Sequence, residues 1–228
     1  MQKIPKTSVN KLKATVIVFP GSNCDAEAFA ALKNLGFEVS YTWYKESLPK
    51  NLDFCFIPGG FSYGDYLRSG AIASISSIMQ EVKDFAEKGG YVLGVCNGFQ
   101  ILTEAKILDG ALLRNASSSF VCKIVKLKTI SKSSIFTQNI PDDLTIQVAH
   151  ADGRFFCDET TLKKIQDEDR IAFEYANDAE NPNGSLANIA GIFGGKNKNV
   201  LGMMPHPERD IISGVNGMEI LKSFIKNF

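Results

Sequence analysis

No stretch of this chain approaches the roughly 20 consecutive apolar residues that a membrane-spanning helix needs, and its N-terminus has no apolar core like that of a secretory signal. The expectation is a cytoplasmic protein. An excess of charge is also missing: 25 basic and 25 acidic side chains cancel, so no global field draws the chain toward nucleic acid or an anionic membrane. Histidine is scarce, with only His150 and His206, and the five cysteines (Cys24, Cys55, Cys96, Cys122, Cys157) are odd in number, widely spaced and without a C-x-x-C pair. That spacing offers neither a disulfide framework nor a zinc site, and leaves inert thiols plus at most one reactive cysteine. Nucleotide signatures are absent as well. There is no G-x-G-x-x-G, and G-I-F-G-G-K-N at 191–197 has Ala190 and Asn197 where a phosphate loop needs glycine and Ser or Thr. It reads as a turn, and ATP chemistry would belong to another chain.

What is present is an ordinary globular balance, 44% hydrophobic and 22% charged over 228 residues, enough for one continuous core without metal or disulfides. Residues 1–13, with Lys3, Lys6, Lys11 and Lys13 and no acid, read as a solvated N-terminal extension; residues 14–228 read as a single domain. From Ala14 the pattern alternates. Thr15 to Phe19 is a short β-branched run ending at Pro20-Gly21, followed by a helix over Ala26 to Leu35 that Asp25 can cap and Gly36 can close. Phe37 to Trp43 and Asp53 to Ile57 are further strands, a helical stretch runs to Lys88, Tyr91 to Val95 is a buried strand, and Asn97 to Ala105 is helical. This predicts an α/β fold, an open doubly wound and mostly parallel sheet with helices on both faces. The second half is richer in strands, at 120–128, 144–149, 171–175, 189–193 and 200–204, some of them antiparallel, before a last helix over Val215 to Ile225.

Chemistry concentrates at three strand ends. Gly94-Val95-Cys96-Asn97-Gly98 places a cysteine between a buried strand and a helix with a glycine two residues to either side. That is the spacing of a nucleophile elbow, in which the glycines remove side chains that would clash around a strained central residue. The helix N-terminus favours an anion there, and the N–H of Asn97 supplies half an oxyanion hole. The plain alternative is a buried cysteine ending a strand, which would not require both glycines. A base must come from the two histidines. His206 lies in Met204-Pro205-His206-Pro207-Glu208, where each pre-proline residue is pushed toward extended backbone and positions two apart share a face. Glu208 can then hold one nitrogen of His206 while the other meets Cys96, a nucleophile, base and orienting carboxylate. Pro58-Gly59-Gly60 closes another strand, and Gly60 can complete the oxyanion hole. His150, before Ala151-Asp152-Gly153, reads as a packed or substrate-side loop residue.

With F-P-G-S-N-C-D (19–25), P-G-G-F-S-Y-G-D-Y-L-R-S-G-A-I-A (58–73), G-V-C-N-G-F-Q-I-L (94–102), G-A-L-L-R-N (110–115), N-P-N-G-S (181–185) and G-M-M-P-H-P-E-R (202–209), the chain resembles the class I (triad-type) glutamine amidotransferases. Among these it is most similar to the glutaminase subunits of phosphoribosylformylglycinamidine synthase. The resemblance runs from Ala14 to the C-terminus. It implies hydrolysis of glutamine through a Cys96 thioester with His206 and Glu208, and ammonia delivery to an ATP- and Mg²⁺-using synthetase subunit (PurL) bridged by a small subunit (PurS). It implies no cofactor on this chain, while the cysteine and histidine spacing predicts no metal, and the charge balance and short apolar runs predict no nucleic-acid or membrane partner. Gln100, one helical turn beyond Cys96, would face the pocket and contact substrate. One departure stands out: the family reads A-H-G-E-G where this chain has Ala149-His150-Ala151-Asp152-Gly153. Service to a different synthetase, or a catalytically silent docking module, are the competing readings, and the intact triad argues against the second.

Overall fold

The computed structural model describes residues 11–209 and 214–228; the extension expected at 1–13 therefore lies largely outside the described residues. The fold takes in slightly more of it than the sequence suggests. β1 (Lys13–Val18) begins one residue before Ala14, the Lys13 amide donates to the Asp53 carboxylate at 2.8 Å, and Leu12 packs against the core.

β1 is followed by α1 (Asp25–Asn34), β2 (Glu38–Trp43) and β3 (Phe54–Ile57). Asp25 occupies the first turn of α1 rather than its cap, which is Cys24 and makes no side-chain capping bond. At the other end Gly36, at φ 95°, closes the helix as expected. A short helix α2 (Ala71–Ser74) leads into α3 (Ser77–Glu87), then β4 (Tyr91–Val95) and α4 (Asn97–Glu104). β5 (Ala111–Leu113), β6 (Val121–Thr129), β7 (Asp143–His150) and β8 (Arg154–Phe156) come next. After them the chain forms α5 (Glu159–Asp167), β9 (Ile171–Tyr175), β10 (Ile189–Gly194), β11 (Val200–Met203) and α6 (Glu219–Asn227).

Nine strands join one sheet in the order β2-β1-β3-β4-β11-β10-β9-β6-β7, and β5 pairs with β8 apart from it. The five strands from β2 to β11 are parallel to their neighbours, whereas β11-β10-β9-β6-β7 are joined antiparallel. Only β10 and β6 run against the rest. The α/β expectation, a mostly parallel doubly wound sheet with antiparallel strands later in the chain, is the observed architecture. Only part of the G-I-F-G-G-K-N segment is a turn: residues 191–194 belong to β10, and the chain turns at 195–199 into its antiparallel neighbour β11, with Asn199 tying the turn down by donating to the Ala86 and Gly90 carbonyls.

The parallel half is apolar on both faces. Ala14, Val16, Ile17, Phe54, Phe56, Val92 and Leu93 are all buried, as β-strands covered on two sides require. Phe54, Phe136 and Phe224 meet under the sheet with centroids 4.7 and 5.3 Å from Phe224, so α6 is held by an aromatic anchor whose burial contributes about 2–3 kcal/mol. That helix starts at Glu219, four residues later than its apolar stripe suggests. The reason is Asn216, whose side chain accepts from the Thr145 amide and whose own amide donates to the Thr145 carbonyl, spending this segment on β7 instead of a helical turn. α5 went unread in the sequence because a single residue, Ile165, is buried on it. Its one clear signal was Asp158, which caps the helix by accepting from the Thr161 amide at 2.7 Å.

The order β2-β1-β3-β4 places the reversal of strand progression between β1 and β3. Ligands of open α/β sheets bind beyond the carboxyl ends of strands at such a point. There the loops after β1 and β3 interlock. A Cβ on Gly21 would lie 2.3 Å from the Phe61 carbonyl oxygen, and one on Gly60, at φ 149°, would lie 2.6 Å from the Asn23 nitrogen. Only glycines allow the two backbones to touch.

Candidate functional site

At the end of β4, Cys96 has φ 52° and ψ −106°, a strained conformation for a residue with a Cβ that typically costs 1–3 kcal/mol. The two flanking glycines carry the compensation. A Cβ on Gly98 would sit 2.0 Å from the Ile57 carbonyl oxygen, and one on Gly94 would sit 2.7 Å from the Gly98 oxygen. α4 is thus pressed against the end of β3 and the start of its own elbow, a position no other residue type permits. The Cys96 amide donates to the Met203 carbonyl at 2.8 Å, so β11 fixes the elbow from its other side. Its thiol lies 3.5 Å from the Ala149 carbonyl oxygen.

β11 also delivers the base. Beyond Met203 the chain passes through Met204-Pro205 to His206, whose amide donates to the Gln147 carbonyl on β7 at 2.9 Å. His206 Nδ1 and Glu208 Oε1 are 2.7 Å apart, with both side chains essentially inaccessible. Burial opposes charge on the imidazole, but Glu208 and Cys96 outweigh it and raise its pKa to about 10. His206 Nε2 and Glu208 Oε2 are buried with no hydrogen-bond partner among the described residues. Gly59 lies where the groups converge. A Cβ there would be 2.8 Å from His206 Cε1, 3.2 Å from Cys24 Sγ and 3.4 Å from Cys96 Cβ. The sequence reading left Gly59 as a plain turn residue; its want of a side chain is what lets the imidazole reach the elbow.

Cys96, His206, Gly60 and Gln100 line one pocket of about 110 Å³. Gly60 follows β3 at the rim, and Asn97 opens α4, where the first N–H groups have no intrahelical partner. The Asn97 side chain is structural: its Oδ1 accepts from the Ser62 amide and its Nδ2 donates to Gln100 Oε1. Gln100 is also tied down, its Nε2 donating to the Asp152 carbonyl oxygen at 2.6 Å. It faces the pocket as expected, but both ends of its amide are engaged, Oε1 by Asn97 and Nε2 by the 151–153 loop.

Several pocket residues had not been singled out. Asp65, Asp152, Arg209 and Cys24 share its wall with Phe61 and Phe120, whose rings lie 6.4 Å apart. Asp152 Oδ2 accepts from Ser69 Oγ at 2.6 Å. Asp65 is pushed above its ordinary pKa by burial and by the Asp152 charge, against the Ser69 hydroxyl, and its Oδ1 is buried without a partner among the described residues. The Ala151-Asp152-Gly153 departure therefore keeps a carboxylate on the pocket. Their signal in the sequence was the density of acids beside glycine turns, which spacing alone could not tie together.

Two cysteine and histidine readings resolve differently. His150 is 2% exposed and belongs to the scaffold, with Nδ1 3.1 Å from Asn115 Oδ1 and Nε2 3.5 Å from Asn183 Nδ2. Burial, then the nearby His206, lowers its pKa to about 4. Cys24 stands inside the site: Arg209 donates to its sulfur at 3.1 Å while also pairing with Glu27 at 3.0 Å, and burial followed by the Glu208 charge pushes the thiol up to about 12. Cys24, His206 and Glu208 offer ligand atoms within 4.8 Å of one another. The sequence expectation of no metal site rested on local spacing, whereas these groups come from opposite ends of the chain.

A family model for the CobB/CobQ-like glutamine amidotransferase domain matches residues 11–218. The phosphoribosylformylglycinamidine synthase subunit PurQ of Ruegeria sp. (strain TM1040) is 51% identical over 216 residues, 93% of this chain and 96% of that protein. Its namesake from Ruegeria pomeroyi is 51% identical over 211 residues, 91% and 93% of the two chains. Among solved structures, a chain of PurLQS from Thermotoga maritima superposes with a TM-score of 0.85 at 38% identity, covering 95% of this chain and 99% of its own.

Proposed function

Because the chain belongs to the CobB/CobQ-like glutamine amidotransferase family, we propose that it hydrolyses glutamine as a subunit of phosphoribosylformylglycinamidine synthase, the enzyme named in its PurQ relatives. Residues 14–228 act as one glutaminase domain in the cytoplasm. The synthetase subunit PurL and the small subunit PurS are its partners, and ATP with Mg²⁺ serves the synthetase. The observation that carries this reading is the buried His206–Glu208 pair, 2.7 Å apart, set against a cysteine held in elbow geometry.

In the proposed reaction His206 Nε2 already holds the proton of the Cys96 thiol, and the sulfur attacks the side-chain amide carbon of glutamine. Gly60 and Asn97 backbone N–H groups receive the charge that develops on the amide oxygen. His206 then hands the proton to the departing nitrogen, releasing ammonia and leaving a glutamyl thioester. A water that gives its proton to His206 cleaves the thioester, and glutamate leaves with the proton still on His206 beside the freed sulfur. Glu208 keeps the imidazole in the tautomer that presents Nε2 to the thiol and stabilises it when protonated. The unpartnered Asp65 Oδ1, beside Asp152, suits the α-ammonium of glutamine.

The half-reactions separate experimentally. In the complex with its synthetase, Cys96→Ala is expected to abolish glutamine-dependent synthesis and to leave synthesis from added ammonium salt largely intact. Loss of both in a correctly assembled complex would show Cys96 to be structural.

A further inference from the structure

Two segments far apart in sequence bring a thiol, an imidazole and a carboxylate together. Cys24 precedes α1, and His206 and Glu208 follow β11; all three are buried, with ligand atoms within 4.8 Å of one another. Two polar atoms of this trio, His206 Nε2 and Glu208 Oε2, are buried without a hydrogen-bond partner among the described residues. Nothing in glutamine hydrolysis requires the third member.

We propose that Cys24, His206 and Glu208 form a binding site for a thiophilic divalent cation of the zinc class, which switches the hydrolase off by taking His206 and Glu208 out of the triad. Sulfur, nitrogen and carboxylate oxygen are the donors zinc prefers, and three protein ligands leave its fourth tetrahedral position open. Metal–ligand bonds of about 2.0–2.3 Å place tetrahedral ligand atoms roughly 3.3–3.8 Å apart, so the widest pair in the trio, no more than 4.8 Å, closes by roughly 1.0–1.5 Å at most, while the 2.7 Å contact of His206 Nδ1 with Glu208 opens if Nδ1 is the ligand. Gly59 leaves room for that movement, since a Cβ there would lie 2.8 Å from His206 Cε1 and 3.2 Å from Cys24 Sγ. On binding, the sulfur–hydrogen bond of Cys24 is replaced by a sulfur–metal bond, His206 gives up the proton on its ligating nitrogen, and both protons leave to solvent. The thiolate and the Glu208 carboxylate together neutralise the dication. Arg209, 3.1 Å from the sulfur, keeps the thiolate partnered on its other side.

The site is read in the full-length Cys96→Ala chain, where the proposed nucleophile cannot contribute a ligand. Titration with Co²⁺ is expected to give one equivalent of bound metal with a thiolate-to-cobalt charge-transfer band, displaced by Zn²⁺. Cys24→Ser on this background is expected to remove the band and weaken Zn²⁺ binding at least tenfold. Glu208→Gln, which leaves the thiol in place, is expected to keep the band and weaken binding by a similar factor. A band that survives Cys24→Ser, no band at all, or an affinity indifferent to Glu208→Gln would each overturn the site. With Cys96 intact, Zn²⁺ is expected to inhibit glutamine hydrolysis reversibly, and Cys24→Ser to raise the concentration required at least tenfold. Equal sensitivity would place the metal on Cys96 and His206 alone. A chain that shows the Cys24-dependent band but hydrolyses no glutamine would overturn the functional reading and leave the metal site standing.

Discussion

Glu208 makes no contribution to the surface and little to packing; its value lies in one oxygen 2.7 Å from His206 Nδ1. An orienting carboxylate acts mainly in the transition state, when the imidazole carries the proton, so its removal should appear in turnover before binding. Glu208→Gln is expected to lower kcat for glutamine on the order of 10²-fold or more while KM stays within a few-fold. Steady-state kinetics with the assembled complex check this, and an unchanged kcat would remove Glu208 from the triad. His206 and Glu208 were legible as a pair because two prolines and a spacing of two constrain the backbone locally. Cys24 was not. Its sequence neighbourhood resembles any turn before a helix, and its contact with Arg209 spans 185 positions.

The elbow belongs to the scale of elements, since Cys96 holds its backbone only while α4 stays pressed against β3. Gly98 is the point of closest approach, with 2.0 Å between a hypothetical Cβ and the Ile57 oxygen. Gly98→Ala is expected to push α4 off β3, costing about 1–3 kcal/mol as overpacking does, and to depress kcat more than thermal stability alone accounts for, because the nucleophile moves with the helix. Thermal unfolding and glutamine turnover measured on the same preparation test the pairing; a variant that unfolds earlier but turns over normally would separate the approach from the site. Most strands and α1, α3 and α4 could be read from periodicity and glycine punctuation. α5 escaped because an exposed helix with one buried apolar residue lacks a stripe, and the start of α6 shifted because Asn216 is claimed by Thr145 on β7.

At the scale of the whole molecule, two histidines with opposed environments set how stability follows pH. His206 binds its proton more tightly in the folded chain, where Glu208 and Cys96 outweigh burial; its contribution is complete below about pH 6.5 and fades as pH rises toward about 10. His150 is the reverse. Burial, then the neighbouring His206, lowers its pKa to about 4, so its contribution is present above about 6.5 and is lost as pH falls toward 4, by roughly 3 kcal/mol at most. Urea midpoints are expected to be highest near pH 6.5–7.5 and to fall on both sides. The interval from 6.5 to 5 is the diagnostic one, since most carboxylates titrate below it. His150→Gln is expected to flatten that acid limb and leave the alkaline limb in place; an acid limb unchanged in the variant would assign it to other groups.

The sequence by itself determined the class of fold, the elbow at Cys96 and the His206–Glu208 pair, because each depends on residues within a few positions of one another: strand periodicity, flanking glycines, pre-proline geometry. Only the tertiary structure decided what surrounds them. The switch between β1 and β3 brings Cys24 beside Gly59, the register of β11 against β4 carries His206 to the elbow, and the 151–153 loop adds Asp152 to the pocket that Asp65 lines. Those meetings depend on strand order and close backbone contact between segments far apart along the chain, and no local pattern of residues encodes which distant segment will arrive.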